Sequence, residues 1–339
     1  MFPPPQAGEG KGGGGGVTRQ CLGRHDLADQ FAAEEISGRQ LPLGEEIFLD
    51  HVGHFVRDAE AASRALKRAG FAPAPVSVQV NPDPAGGAPQ LTGTGNVTAM
   101  FTRGYIEVLF KTADTALGRE LDAAAARYPG VHLAAFAVAD AAKAQRGLRE
   151  RGFRVRPLAE MQRPVDTADA SGTANFTVAR LEPGQMPEGR IQMLTHWTED
   201  MVWQPRWLSH PNSARGLASV MIAVADVDEA ARRFARFTGR DATPSFLGQA
   251  IRLDRGRLEF VTADTFIKLL PEVPVPSLPF IGAYGVTVNS LATLEAALAA
   301  GELKARRADF GLVVVFPREL GHGAWLFANV GDDAIYSQK

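Results

Sequence analysis

Within residues 47–110, two side chains with reactive chemistry sit inside apolar runs. A histidine opens the stretch, in IFLDHVGHF (47–55), and Glu107 closes it, in YIEVLF (105–110). An ionised carboxylate in a buried strand needs an arginine, a metal or a proton to offset its desolvation. Imidazole and carboxylate together suit a divalent-metal site or general acid–base work. His51 and His54 lie three residues apart, so strand alternation sends them to opposite faces and only one can look into a site. Glu259, in RLEFVT (257–262), has the same apolar setting without a histidine partner, which favours an ion pair there.

The elements that must position these groups recur along the chain. One marker is an apolar strand ending in Asp, then an alanine-rich helix closed by Gly. It reads HVGHFVRDAEAASRALKRAGF with Asp58 and Gly70, then LAAFAVADAAKAQRGLRERGF with Asp140 and Gly152. It returns as SVMIAVADVDEAARRFARFTGR with Asp226 and Gly239. The fourth copy is GAYGVTVNSLATLEAALAAGEL, with Asn289 in the Asp position. Asp or Asn there is a helix N-cap, and Gly a left-handed C-cap. A second marker, GTGNVTAMF (93–101) and GTANFTVARL (172–181), is a small-residue turn entering a strand. A third is a glycine turn with a closing strand: RGYIEVLF, EGRIQMLT, RGRLEFVT and HGAWLFAN. The sequence therefore predicts an α+β fold of four βαβββ modules, which pair into two curved-sheet cups, each a natural ligand hollow.

The predicted layout is a low-complexity tail (1–44), a first domain (45–197, modules 47–115 and 130–197) and a connector (198–214). A second domain (215–330, modules 215–265 and 279–330) and a short C-terminal tail (331–339) follow. The tail, with its prolines and five consecutive glycines, cannot bury enough apolar surface to order itself, apart from a short helix at 27–36. A start site nearer residue 45 is an expectation that goes with it. Trp197, Trp203 and Trp207 are expected to pack the connector onto the body. His210 and His322 fall in predicted loops and are expected to be solvated.

With a net charge of −2 over 339 residues, the chain has no electrostatic footprint for nucleic acid. Its apolar runs are too short to span a bilayer. The single Cys21 excludes an internal disulfide or a Cys-based zinc cluster, and with no apolar leader the expected location is cytoplasmic. Expected partners are thus a small-molecule substrate, with no nucleic acid and no membrane. Four modules can complete both cups within a monomer or a homodimer.

The βαβββ repeat, the LDHVGHFVRD opening and the GYIEVL closing strand resemble the vicinal oxygen chelate superfamily, specifically its glyoxalase-like two-domain members. The resemblance covers roughly 47–330. It implies metal ligands on the first and last strands of paired modules, the first ligand seven residues before the strand-ending Asp. That register gives His51 and Glu107 in the first module, Leu133 and Gln192 in the second, Ser219 and Glu259 in the third, and Gly282 and Leu326 in the fourth. Only the first keeps both ligand types, so the metal cup pairs modules one and two. His54 is then a packing residue.

A third ligand is expected from His132, brought inward by a bulge beside Leu133. Gln192 and His196 are further ligand or substrate-contact candidates. The resemblance implies a divalent ion (Zn, Fe, Mn or Ni) and a lyase or isomerase in which Glu107 is the base. The alternatives are an extradiol-type ring-cleaving dioxygenase and a metal-free small-molecule binder of the same fold.

Overall fold

The computed structural model describes residues 1, 39–83, 85–167 and 171–331. Cys21, the helix expected at 27–36 and nearly all of 331–339 lie outside the described residues. By internal contacts the chain divides into Met1–Gly38 and Arg39–Lys339. The second unit holds every described strand and helix and includes both halves, where two domains were expected. It also starts earlier than the expected residue 45. Arg39 pairs with Glu46, and Leu41 joins an apolar cluster with Met100, Tyr105 and Trp203.

The first half runs β1 (Ile47–Phe55), helix Ala59–Arg68, β2 (Ser77–Asn81), β3 (Gln90–Met100), β4 (Tyr105–Lys111) and helix Ala116–Arg127. It continues with β5 (Gly130–Val138), helix Ala141–Glu150, β6 (Ala159–Asp166), β7 (Ser171–Arg180) and β8 (Arg190–His196). The second half runs β9 (Ala214–Val224), helix Val227–Thr238, β10 (Ala242–Pro244), β11 (Gln249–Arg252), β12 (Arg257–Thr262) and helix Ala263–Leu269. Then come β13 (Phe280–Val288), helix Leu291–Ala300, β14 (Arg306–Ala308), β15 (Gly311–Val315) and β16 (Ala324–Asn329). No described helix is long and apolar enough to cross a membrane.

Capping explains where the helices start. Asp58, Asp140 and Asp226 each accept a hydrogen bond from the backbone N–H three residues on, worth about 1 kcal/mol apiece. In the last copy the cap is Ser290, not Asn289. Counting seven back from Ser290 gives Ala283, which pairs with Ala324, so Ala283 rather than Gly282 holds the first-strand position. Gly70, Gly152 and Gly239 have positive φ as left-handed caps require, but Gly301 does not. Gly301 is needed for proximity instead: a Cβ there would lie 1.8 Å from the Arg68 carbonyl oxygen of the neighbouring helix.

Pairing closes the first half on itself. The order is β1-β4-β3-β2-β6-β7-β8-β5, and β5 returns antiparallel to β1, so eight strands make a barrel-like ring. The second half stays open, as β10-β11-β12-β9-β13-β16-β15-β14, joined to the ring through β13 and β5. His54 secures that junction: its Nδ1–H donates to the Leu320 carbonyl and Nε2 accepts from the Tyr284 hydroxyl, both at 2.9 Å. It is a packing residue as expected, though its partners belong to the other half.

Candidate functional site

All eight ring strands send side chains into a central cavity of about 50 Å³, several times the space one water needs. His51 enters from β1, Gln79 from β2, Asn96 from β3, and Tyr105 and Glu107 from β4. Leu133 comes from β5, Arg163 from β6, Arg180 from β7 and Gln192 from β8. The two halves of the ring match in register. His51 pairs with Tyr105, two before Glu107; Leu133 pairs with Arg190, two before Gln192. Gly104, just before β4, sits at φ +73°, and a Cβ there would lie 2.5 Å from the Asp50 carbonyl oxygen. The turn that aims Glu107 therefore needs glycine.

His51 and Glu107 converge, with Nε2 and Oε2 3.4 Å apart. Asn96 Nδ2 donates to Glu107 Oε1 at 2.6 Å, and Gln79 Nε2 donates to the same oxygen at 3.3 Å. Burial pushes Glu107 up, but His51, Asn96 and Arg163 outweigh it and hold the carboxyl below its usual range. Behind His51 stands Asp50, unnoticed in the sequence. Its Oδ2 accepts from His51 Nδ1 at 2.7 Å and its Oδ1 from His196 Nε2 at 3.0 Å. Burial raises the Asp50 carboxyl and the two imidazoles more than reverse that. For His51, burial works downward, yet Asp50 and Glu107 carry it up to about 9. Tyr105 stacks on the ring at 4.4 Å. His51 is therefore clamped with Nδ1 occupied and Nε2 presented beside Glu107.

A bulge explains why Asp50 escapes strand alternation. Along β1 the partner of Leu49 is Phe136 and that of His51 is Ala135, which leaves Asp50 as the extra residue. β5 has its counterpart at His132, skipped between Val131 and Leu133. The bulge expected there exists, but it keeps Leu133 in the cavity and turns His132 away. His132 Nε2–H donates to the Tyr128 carbonyl at 2.7 Å, its ring stacks on Tyr128, and it lines a separate cavity with Glu120 and Arg156. Burial lowers it to about 4. His132 is thus not the third ligand, and among the described residues no three His, Cys, Asp or Glu side chains converge as a metal set.

His196 also corrects its expectation. It packs edge-on against Phe176 and Trp203 and supports Asp50, outside the cavity lining. Gln192 does line the cavity, where its Oε1 accepts from Arg180 Nε at 3.1 Å. Glu259 has the ion pair expected of it, with Arg257 at 2.8 Å. His210, expected in solvent, is buried: Nδ1 accepts from Ala72 N–H and Nε2–H donates to the Met100 carbonyl. His322 is half-buried, its backbone N–H bonded to the Pro129 carbonyl. Of the connector tryptophans, Trp203 is buried, Trp207 lines a second cavity, and Trp197 is 62 % exposed.

The donor set is compatible with a divalent ion. A ligating histidine typically gives its other ring N–H to a carboxylate, which fixes the presented nitrogen, and Asp50 does this for His51. Glu107 supplies a carboxylate, and the Gln192 amide oxygen keeps a second lone pair beside the one facing Arg180.

Residues 49–238 match the glyoxalase-like domain family, more than half of the chain. No curated protein sequence matches it. Among solved structures, a hypothetical protein from Staphylococcus aureus superposes with a TM-score of 0.57 at 11 % identity, covering 84 % of this chain and 100 % of that one. A xylose isomerase-like TIM barrel/4-hydroxyphenylpyruvate dioxygenase fusion protein gives 0.52 at 10 % identity, covering 89 % and 51 %. A mutant 4-hydroxymandelate synthase from Streptomyces coelicolor gives 0.48 at 13 % identity, covering 85 % and 94 %. The first two share the fold. With more than half of its length matched, the chain is a member of the glyoxalase-like domain family, of the vicinal oxygen chelate type.

Proposed function

We propose that the ring of β1–β8 is the reaction chamber of a divalent-metal-assisted lyase or isomerase acting on a small oxygenated molecule. The observation that carries this reading is the clamp on His51: Asp50 holds Nδ1 while Nε2 faces Glu107. His51, Glu107 and Gln192 would hold the ion. When bound, the ion would stabilise negative charge developing on two neighbouring substrate oxygens. Glu107, ionised at neutral pH, accepts the substrate's proton, while Asn96 and Gln79 fix its Oε1. The element order supports four βαβββ modules, paired in the ring and in the open arc.

The ring-cleaving alternative has less support, because its two-histidine, one-carboxylate set depends on a second histidine that the bulge turns away. A metal-free binder is the second reading, favoured by Leu133 at the fourth ligand position.

Titrating Zn²⁺, Mn²⁺, Fe²⁺ or Ni²⁺ into chelator-stripped protein tests this. At 100 times Kd an ion should stabilise the wild type by about 2.7 kcal/mol, read as a rise in Tm. His51→Ala and Glu107→Ala should lose the rise, Gln192→Ala should weaken it, and His132→Ala should keep it. An equal rise in His51→Ala would place the ion elsewhere and overturn the assignment, and no rise in the wild type would leave only the metal-free reading.

A further inference from the structure

Among the described residues, Arg163 is a buried cation without a counter-ion in contact. It is 9 % exposed, and among the described residues its guanidinium has no hydrogen-bond or ion-pair partner; its Nε is fully buried and unsatisfied. Glu107 and Tyr105 are within electrostatic reach but not in contact, and Glu107 is already engaged by Asn96, Gln79 and His51. An unpaired buried guanidinium is expensive to maintain, so a fold that keeps one reserves it for something that arrives. Arg180 repeats the pattern more mildly: its described partners are neutral, the Gln192 amide oxygen at 3.1 Å and the Met161 sulfur at 3.0 Å.

Arg163 also marks a boundary. It lines both the central cavity and a second one of about 250 Å³. Apolar groups dominate that second space: Val76, Val78, Met100, Val165, Val202 and Trp207. Val76 and Val78 are 44 % and 39 % exposed, which leaves apolar surface open for a ligand to cover.

We infer that the ring takes an oxyanion carried on an apolar body: the anionic group pairs with Arg163 in the polar centre, and the apolar body occupies the outer cavity against Trp207. Arginine suits this role because its planar fork pairs two-pronged with carboxylate or phosphonate oxygens. The inference rests on the ring being the substrate site but not on the metal. It is therefore tested with the chelator present.

The probes are phenylacetate, phenylphosphonate and neutral phenylacetamide, bound to the full chain in EDTA and followed by calorimetry and Tm. At least one of the two anions should bind ten or more times tighter than the amide. Arg163→Met should remove that preference while leaving weak binding of the ring, and Arg163→Lys should restore part of it. Equal affinity for anions and amide in the wild type, or no binding by either anion at millimolar concentration, overturns the inference. So does an anion preference that survives in Arg163→Met. The wild-type comparison stands even if a variant fails to fold. Because no ion is present, a failed metal titration and a failed anion preference are separate results.

Discussion

Asp50→Ala is expected to destabilise the protein by about 3–5 kcal/mol, the range for removing one partner of a buried charged pair. The carboxylate is wholly buried and serves two imidazoles, His51 and His196, which lose their anion together. His196 has no other described hydrogen bond to fall back on, since its Nδ1 is buried and unsatisfied. The same change should weaken metal binding about 10- to 100-fold, the usual effect of losing the group behind a ligating histidine. Asp50→Asn separates the two effects: it keeps the volume and one acceptor oxygen, so it should recover part of the stability and less of the affinity. Denaturant midpoints and metal titrations on both variants provide the check. An Asp50→Ala protein as stable as the wild type would mean that the His196–Asp50–His51 chain is not a structural unit.

The second large effect is acid lability between pH 6.5 and 4. Burial depresses His54 to about 4, with His132 adding to it; burial likewise lowers His132 to about 4, partly opposed by the Tyr128 carbonyl. Both stay neutral in the folded chain while the unfolded chain takes up protons below about 6.5. The unfolded state then binds more protons, so stability falls as pH drops. The contribution is fully present above pH 6.5 and is lost on the way down to 4, at roughly 3 kcal/mol for each histidine. Unfolding free energies at pH 7, 6.5, 5.5 and 5 should trace this decline before most carboxylates titrate. His132→Phe and His54→Phe should each flatten part of the slope, whatever they do to stability at pH 7, with buried His210 carrying a further share. A wild-type profile flat from pH 7 to 5 would contradict the burial of these rings.

Much of the site was legible because the resemblance supplies a register and the strand-ending caps and glycine turns, which are local signals, anchor it. Asp58 and Gly104 fix the register that leads to His51 and Glu107, and the same count across β5 and β8 leads to Leu133 and Gln192. The period of two misleads where a bulge interrupts it. Asp50 is adjacent to His51, so alternation assigns it to the opposite face; only the extra residue in β1 lets both act on one cluster. The available clue was energetic, an aspartate in an otherwise apolar strand. At His132 the presence of a bulge was foreseen and its direction was not, since that depends on stacking with Tyr128 from a neighbouring turn.

The ring itself was harder to read. Its closure depends on β2 meeting β6, a pairing between segments some 80 residues apart that centres on Val80 and Gln162. Neither strand signals an inward face: SVQVN alternates, but it turns Gln79 into the cavity and leaves Val78 39 % exposed, and AEMQRPVD mixes charge with a proline. Arg163 was lost for the same reason, because within a polar edge-like strand it reads as solvated. Only the curvature that closes β6 onto β2 turns it inward.

The central claim is that the clamped imidazole and the carboxylate of the first four strands hold one ion. Crystals grown with Mn²⁺ or Zn²⁺ and measured at the metal's absorption edge would test it most directly. One anomalous peak per chain is expected inside the ring, bounded by His51 Nε2, a Glu107 oxygen and the Gln192 amide oxygen. A ring without a peak and with His51 still turned to Glu107, or a peak at His132 instead, would contradict the account.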